Sequence, residues 1–482
     1  MENLVNALNS VIWSPALIYL CLGAGLYFSI RTRFMQVRGF GEMIRLIFRG
    51  QSSDAGVSSF QALAISLSGR VGTGNIAGVA TAIAFGGPGA VFWMWVVAFL
   101  GASTAYVEST LAQIYKEKDD NGQYRGGPAY YIEKAMGQKW YAWLFALVTI
   151  IATGLLLPGV QANAISSGLT TAWGIPSWAT ATAVVAVLGF IIFGGVKRIA
   201  HFAQVVVPFM ALAYMVIAIG ILLLNVDRLP DMFMLILNSA FGWHAGFGAV
   251  LGLAIEWGVK RGIYSNEAGQ GTGPHAAAAA EVSHPAKQGY VQAFSVYVDT
   301  LLVCSATAFL ILSTGMYNVV GPDGAILVNA LPGVEAGPGF AQAAVESVLP
   351  GWGAGFVALA LLFFAFTTIL AYYYMAETNI AYINRKVHRP WLTLALRVGI
   401  LAAVAYGAVK SAALAWGLGD IGVGLMAWLN LIAILILQKP AFQALRDYEA
   451  QKKAGRDPVF DPDALGIRHA ELWREKLQDR DG

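Results

Sequence analysis

Apolar residues run through this chain in stretches of about twenty, parted by short polar loops, and that is the helical length needed to cross the hydrocarbon of a bilayer. The first stretch, 11–30, opens after Met-Glu-Asn rather than a basic leader. It is followed by Arg31, Arg33, Arg38, Arg45 and Arg49 instead of a small-residue cleavage site, so it reads as a retained helix and not a signal peptide. Further spans are predicted at 57–85, 88–114, 141–170, 177–195, 201–225, 240–262, 289–316, 354–382, 392–410 and 416–437, about eleven in all.

One span is unlike the rest. The stretch from Ser66 to Gly89 carries Gly69, Arg70, Gly72, Thr73, Gly74, Asn75 and Gly78, poor material for a lipid-facing helix. Backbone that leaves the helix at membrane depth is tolerated only where it is buried in protein or lines a watery cavity. Two half-helices meeting there present free N–H groups on one side and free C=O groups on the other, which suits an anion and a cation together. Gly72, Gly74 and Gly78 also spell a loose dinucleotide-binding pattern. That motif needs a soluble βαβ unit and an acidic residue about twenty positions on, whereas here Phe92, Trp93, Met94 and Trp95 follow.

Composition agrees with the pattern. Hydrophobic residues make up 57% of the chain and charged residues 12%, with a mean hydropathy of +0.60, against about 25% charged in soluble domains. The expected class is an all-α polytopic membrane protein. A net charge of +3, scattered over loops and tail, gives no footprint for nucleic acid. Cys21 and Cys304 fall in apolar segments and are expected as small core residues, without a disulfide or metal cluster.

The placement of charge orients the chain. Alternate loops carry Lys116, Lys118, Arg125, Lys134 and Lys139, then Lys197 and Arg198, then Lys260, Arg261 and Lys287, then Arg385, Lys386 and Arg389. The other loops hold only Arg228 and Lys410, and 317–353 has neither Lys nor Arg. Positive loops stay inside, so the N-terminus is expected outside a bacterial or archaeal plasma membrane and the tail, 438–482, in the cytoplasm. Its amphipathic part, 464–479, reads either as a short helix on the membrane surface or as a solvated tail.

With the N-terminal helix (1–30) set aside, ten spans divide into two sets of five, 57–225 and 240–437, and an odd number per set makes the sets inverted. The second set opens with Gly242, Gly246, Gly248, Gly252, Gly258 and Gly262 and runs into RGIYSNEAGQGTGP. Glycine-interrupted helices at matching positions of inverted halves point to a binding site near the midplane. Glycines alone would mark only close helix packing. Thr73 and Asn75 at the first break favour a site, because polar groups at membrane depth need partners.

The motifs GTGNIAGVATAI, GGPGAVFWMW, GGPAYYI, GVQANAIS, RGIYSNEAG, HPAKQG and DTLLVCSATAF, in that order, resemble the alanine or glycine:cation symporter family, the sodium:alanine symporters, from about Phe60 to the last span. The resemblance implies a leucine-transporter-like fold of two inverted five-helix repeats plus one extra N-terminal helix. It implies sodium-coupled uptake of small neutral amino acids such as alanine or glycine by alternating access, with sodium as co-substrate rather than cofactor and no obligate protein partner. The family pattern sets the substrate carboxylate against Thr73, Gly74 and Asn75, with Gln161 in contact and Asn163 as a second candidate. It sets sodium against the hydroxyls of Thr367 and Thr368 and carbonyls near Gly69 and Gly72, oxygen ligands that suit a hard cation. The bland reading of a Thr pair is bonding back to its own helix. Where many relatives carry Gly-Trp, this chain reads Ala371-Tyr372, and Gln270, Thr272 and His275 also depart from the expected form. If Tyr372 lines the pocket, the preferred amino acid is open.

Charged residues at membrane depth are Arg70, Glu108, Glu256, Asp299 and Glu377. A structural or gating ion pair, Arg70 with Asp299 or Glu108, is favoured over direct substrate contact. Glu267 is expected at the cytoplasmic mouth as a cap or a gate. His275 and His284 are expected near that boundary, with His201 and His388 in loops, and their spacing suits no metal site. No nucleophile and base share a motif, which argues against an enzyme. An uncoupled or proton-coupled permease with another neutral preference is the alternative, opposed by the Thr367–Thr368 pair facing a broken helix.

Overall fold

A computed structural model of the chain describes residues 2–50, 52–194, 196–243, 247, 250–385 and 389–481. Gly246, Gly248, Lys386 and His388 lie outside the described residues. The fold is all-α apart from two short hairpins, Glu117–Lys118 with Tyr124–Arg125 and Asn318–Val320 with Ile326–Asn329. Among the described residues, seven helices are long and apolar enough to cross a membrane, and the pair Glu2–Ile12 and Pro15–Arg31, bent by 43°, makes an eighth. The bend falls where Pro15 starts a new helix.

Two further apolar segments cross the core in pieces. The first consists of half-helices Ser59–Arg70 and Val79–Gly86, joined through a π-turn at Gly74–Gly78. A capping box opens it: Ser58 Oγ accepts from the Gln61 N–H, and Gln61 Oε1 accepts from the Ser58 N–H. The second consists of Leu251–Asn266 and Gly273–Ala279. Between them Glu267, Gly269 and Gly271 have φ of 57°, 82° and 86°, and these left-handed residues turn the chain out of the helix. This break corrects the expected span at 240–262: the run NEAGQGTG is buried rather than a loop.

Packing sorts the spans by depth. Gly89–Ile114 and Pro285–Thr314 are largely buried. Val205–Leu224 and Pro390–Val409 expose Phe209, Leu212, Val216, Trp391, Leu394 and Val398, as expected of helices that are apolar all round and face lipid. Small residues set the closest approach: a Cβ on Gly407 would strike the backbone of Gly159 on the span Lys139–Trp173.

Charges gather at one end. Arg38 pairs with Glu449, Arg45 with Glu42, Lys134 with Glu117 and Glu471, Lys287 with Asp457, and Arg385 with Glu133. Lys197, Arg198 and His201, expected in a loop, belong to the first turns of the helix Val196–Leu224. Lys260 and Arg261 are the clear exception to the expected topology. They sit inside Leu251–Asn266, bound to Asp420, which lies about two turns from the start of Ala412–Lys453, in the half away from the charged end.

The tail packs back on the protein through a few apolar side chains. Phe460, Ile467, Ala470 and Trp473 join the main core, and the Phe460 N–H donates to Ser283 O at 3.0 Å. The indole N–H of Trp473 donates to Gln113 O at 2.8 Å, and its ring packs edge-on to Phe460. Trp473→Ala removes a buried aromatic anchor and is expected to cost about 3 kcal/mol, read as a lower unfolding midpoint in detergent.

Candidate functional site

The first break runs through Val71, Gly72 and Thr73, all buried. Here the backbone leaves its helix and its polar groups turn to the side chains of Asn75, Gln161 and Thr368. The Gly72 N–H donates to Asn75 Oδ1 at 2.8 Å, and the Thr73 N–H donates to Gln161 Oε1 at 3.0 Å. Gln161 Nε2 in turn donates to the Tyr264 hydroxyl at 3.4 Å, and Tyr372 lies within reach of the same amide. Glycine is required at 72, because a Cβ there would strike Thr368 Oγ1 and approach Gln161 Oε1 to 3.1 Å. The Thr73 hydroxyl is buried with no hydrogen-bond partner.

Asn75 is held from the other side. Its Nδ2 donates to Asp299 Oδ1 at 2.6 Å and lies 3.3 Å from Cys304 Sγ. Ser265 donates to the same carboxylate oxygen at 3.0 Å, and Thr300 donates to Oδ2 at 2.6 Å. Asp299 and Cys304 project from a π-helical stretch, Tyr297–Cys304, of the kind that often marks a functional position.

Oxygens also converge below the break. The Thr368 hydroxyl donates to Ser68 O at 2.8 Å, with Phe364 O at 3.0 Å and Val71 O at 3.5 Å. Ser68 and Val71 belong to the last turn and C-cap of Ser59–Arg70, where carbonyls lack helical partners and carry partial negative charge. Three oxygens within reach of one hydroxyl offer the donor set a hard monovalent cation takes.

The structure thus brings Thr73, Gly74, Asn75, Gln161, Tyr372, Gly69, Gly72 and Thr368 to one buried region between the two broken helices. It places three predicted residues otherwise. Asn163 Nδ2 donates to Gly407 O at 3.1 Å and Lys410 O at 2.7 Å, so it caps a neighbouring helix rather than facing the break. Thr367 bonds only to Phe363 O and Phe364 O of its own helix. Glu108 accepts from the Gly269 N–H at 3.2 Å and from Asn430 Nδ2 at 2.7 Å, which ties it to the second break.

The expected ion pair of Arg70 with Asp299 or Glu108 is corrected. The Arg70 guanidinium donates to Gln292 O at 3.2 Å, while Nε and Nη2 lack partners, and both carboxylates are engaged elsewhere. Glu377 lies 3.5 Å from Arg125 and accepts from the Tyr373 hydroxyl at 2.9 Å. His275 is buried against Thr272 O and the Asn379 amide, each at 2.9 Å, and packs on Gly127. Ser265, Thr300, Cys304, Tyr264 and Asn430 were not anticipated. Ser265 and Asp299–Cys304 do stand inside the quoted motifs, which is the signal that could have found them.

Comparison with known proteins follows the same lines. A family model described as the sodium:alanine symporter family matches residues 1–462. YrbD of Bacillus subtilis (strain 168) is 65% identical over 476 residues, covering 99% of this chain and 98% of its own. The sodium/proton-dependent alanine carrier protein of Bacillus sp. (strain PS3) is 56% identical over 433 residues, covering 89% of this chain and 97% of its own. Among solved structures, the manganese transporter of Eremococcus coleocola shares the fold at a TM-score of 0.50 and 12% identity, over 86% of this chain and 90% of that one.

Proposed function

Since the chain belongs to the sodium:alanine symporter family, we propose that the buried region between its two broken helices binds one small neutral amino acid, alanine first, together with a sodium ion. It is a multi-pass membrane transporter and not an enzyme. The two ligands cross together, and the region opens to one face at a time.

The observation that carries this reading is the break at 71–73. On one side the second half of the broken span presents N–H groups and the positive end of its dipole, which suits the substrate carboxylate near Thr73, Gly74 and Asn75. On the other side the carbonyls of Ser68 and Val71 and the hydroxyl of Thr368 suit sodium. Gln161 and Tyr372 close the space above the substrate.

Two interrupted spans, at Ser59–Gly86 and Leu251–Ala279, open the two halves of the chain. This supports inverted five-helix repeats at 57–225 and 240–437 behind the extra N-terminal helix, eleven spans when the broken segments and Ser177–Ile192 are added to the eight. The charged end then faces the cytoplasm, in keeping with its arginines and lysines.

The test is uptake of labelled alanine into proteoliposomes with and without an inward sodium gradient. Uptake driven by sodium, lowered at least tenfold by Asn75→Ala, with Thr368→Ala chiefly raising the sodium requirement, is the expected result. Uptake indifferent to sodium and to a protonophore would replace symport by facilitated permeation.

A further inference from the structure

Glu267 stands at the break of the second discontinuous span. Its N–H donates to Ile263 O at 2.9 Å, closing Leu251–Asn266, and its φ of 57° and ψ of 12° are left-handed. Glycine adopts that conformation freely and a glutamate does not, so the chain carries backbone strain at the position that bears this carboxylate. Strain of this kind gathers at functional sites.

The carboxylate is fully buried and neither oxygen has a hydrogen-bond partner. Its neighbours are treated differently. Asp299 accepts from three side chains, Glu108 from a backbone N–H and an amide, and Asp420 from an arginine and a lysine. An ionised carboxylate left without donors in a protein interior is strongly unfavourable unless a cation meets it.

Its direction sharpens the point. A Cβ built on Gly69 would lie 3.3 Å from Glu267 Oε2, so the carboxylate faces the last turn of Ser59–Arg70. That turn ends in free carbonyls and the negative end of the helix dipole. A carboxylate set against a helix C-terminus is repelled by it, and the two together attract a positive charge. Arg70 does not supply it directly. Its guanidinium forms no ion pair within 4.0 Å among the described residues, bonds to Gln292 O, and lies against Gly273. The charged groups facing it from other elements are Glu267, Glu108 and Asp299, three carboxylates around one guanidinium. The hydroxyls of Ser66 and Thr272 are also buried without partners. Thr272 is within reach of the Glu267 carboxylate, and Ser66 Oγ lies beside Gly273.

We propose that the Glu267 carboxylate is a charged ligand of the transported sodium ion, holding it between the second break and the carbonyl end of the first half-helix. Carboxylate, carbonyl and hydroxyl oxygens make a hard donor set, and one carboxylate suits a monovalent ion. The inference rests on the symport reading and deepens it: the neutral oxygens at Thr368 gain the formal charge they lack, and the cation links the two broken helices.

The test titrates the unfolding midpoint of the detergent-solubilised protein with sodium, choline keeping the ionic strength constant, in the absence of amino acid. Glu267→Gln is expected to raise the sodium concentration for half-maximal stabilisation at least tenfold, and Glu267→Asp, which keeps the charge on a shorter side chain, to raise it about threefold. A purely structural carboxylate would shift the midpoint itself and leave the sodium titration unchanged, which overturns the proposal. Should Glu267→Gln fail to fold, Asn75→Ala and Glu267→Asp are compared in alanine uptake at saturating and limiting sodium. The Asp variant must then show a raised sodium requirement with alanine half-saturation within twofold of wild type, and a normal sodium requirement overturns the proposal. Stabilisation by acid with no response to sodium in wild type also overturns it, in favour of a proton at the same carboxylate. Because sodium binding is read without amino acid, failure of alanine uptake would sink the symport reading alone.

Discussion

Asp299→Ala is expected to reduce sodium-driven alanine uptake by two to three orders of magnitude while the protein still reaches the membrane. Asn75 bridges the first break: its Oδ1 accepts the Gly72 N–H, and its Nδ2 donates to Asp299. Removing the carboxylate leaves that amide free to rotate, strands the hydroxyls of Ser265 and Thr300, and loosens the backbone that meets the substrate. Hydrogen bonds to an ionised acceptor contribute about 1.5–3 kcal/mol each. Three of them acting as a unit are worth roughly 3–4 kcal/mol of site geometry, and about 1.4 kcal/mol corresponds to tenfold in rate. Asp299→Asn separates positioning from charge. An asparagine carbonyl still accepts from Asn75, and the Thr300 hydroxyl can turn to accept from the new amide, so uptake within about tenfold of wild type is expected. Initial rates in proteoliposomes, normalised to reconstituted protein, decide between the two. Equal loss in both variants would mean that the formal charge, rather than the grip on Asn75, is what the site needs.

The elements legible in the sequence are those where local pattern and burial agree. Runs of apolar residues at bilayer length mark the helices that pass through the core, and the glycine and polar interruptions at 69–78 mark a break because nothing else suits that position. The second interrupted helix was expected from its glycines at 242–262, but its break lies further on, at 267–271. Hydropathy averages over a window and cannot tell a polar run that is solvated from one that is buried against partners, so NEAGQGTG looked like a loop although Glu267, Gln270, Thr272 and His275 are all buried. Lys260 and Arg261 were misplaced for a related reason. Positive charge reads as a cytoplasmic loop until a partner is known, and the partner, Asp420, is about 160 residues away in sequence. In the candidate site, Asn75 stood out because it interrupts an apolar helix, whereas Gln161 and Thr368 were named only through the resemblance to the symporter motifs. Which carboxylate holds which donor depended on packing: Asp299 serves Asn75 and not Arg70, and Asn163 turns outward to a helix end. The tail was illegible because its anchors, Phe460 and Trp473, are spaced along a polar segment with no period.

Asp420→Ala is expected to destabilise the protein by about 2–4 kcal/mol and to lower uptake beyond what that loss explains. Asp420 takes both guanidinium nitrogens of Arg261, at 2.8 and 3.0 Å, and Lys260 Nζ at 2.9 Å, while its own carbonyl accepts from the Trp13 indole at 2.8 Å. Removing one partner of a buried ion pair costs about 3–5 kcal/mol, because it leaves charge in the interior unmatched. Part of that is recovered here. The Arg261 guanidinium lies over Trp416 at 4.4 Å and Trp257 at 5.0 Å, and such faces return about 1–2 kcal/mol to a desolvated cation. The double variant Asp420→Ala with Arg261→Met removes one of the two stranded charges and leaves Lys260 over the faces of Trp13 and Trp257, so part of the lost stability should return, measured as an unfolding midpoint in detergent. Uptake should not return with it. A Cβ on Gly78 would lie 3.7 Å from Trp416 and 3.9 Å from Arg261, so the pair rests on the second half of the first broken span, on the side away from the charged end. Through Asp420 it ties both broken helices to the long terminal helix. A bridge that only holds the fold would let the restabilised double variant transport normally. One that must close over the site in each cycle leaves that variant stable and slow.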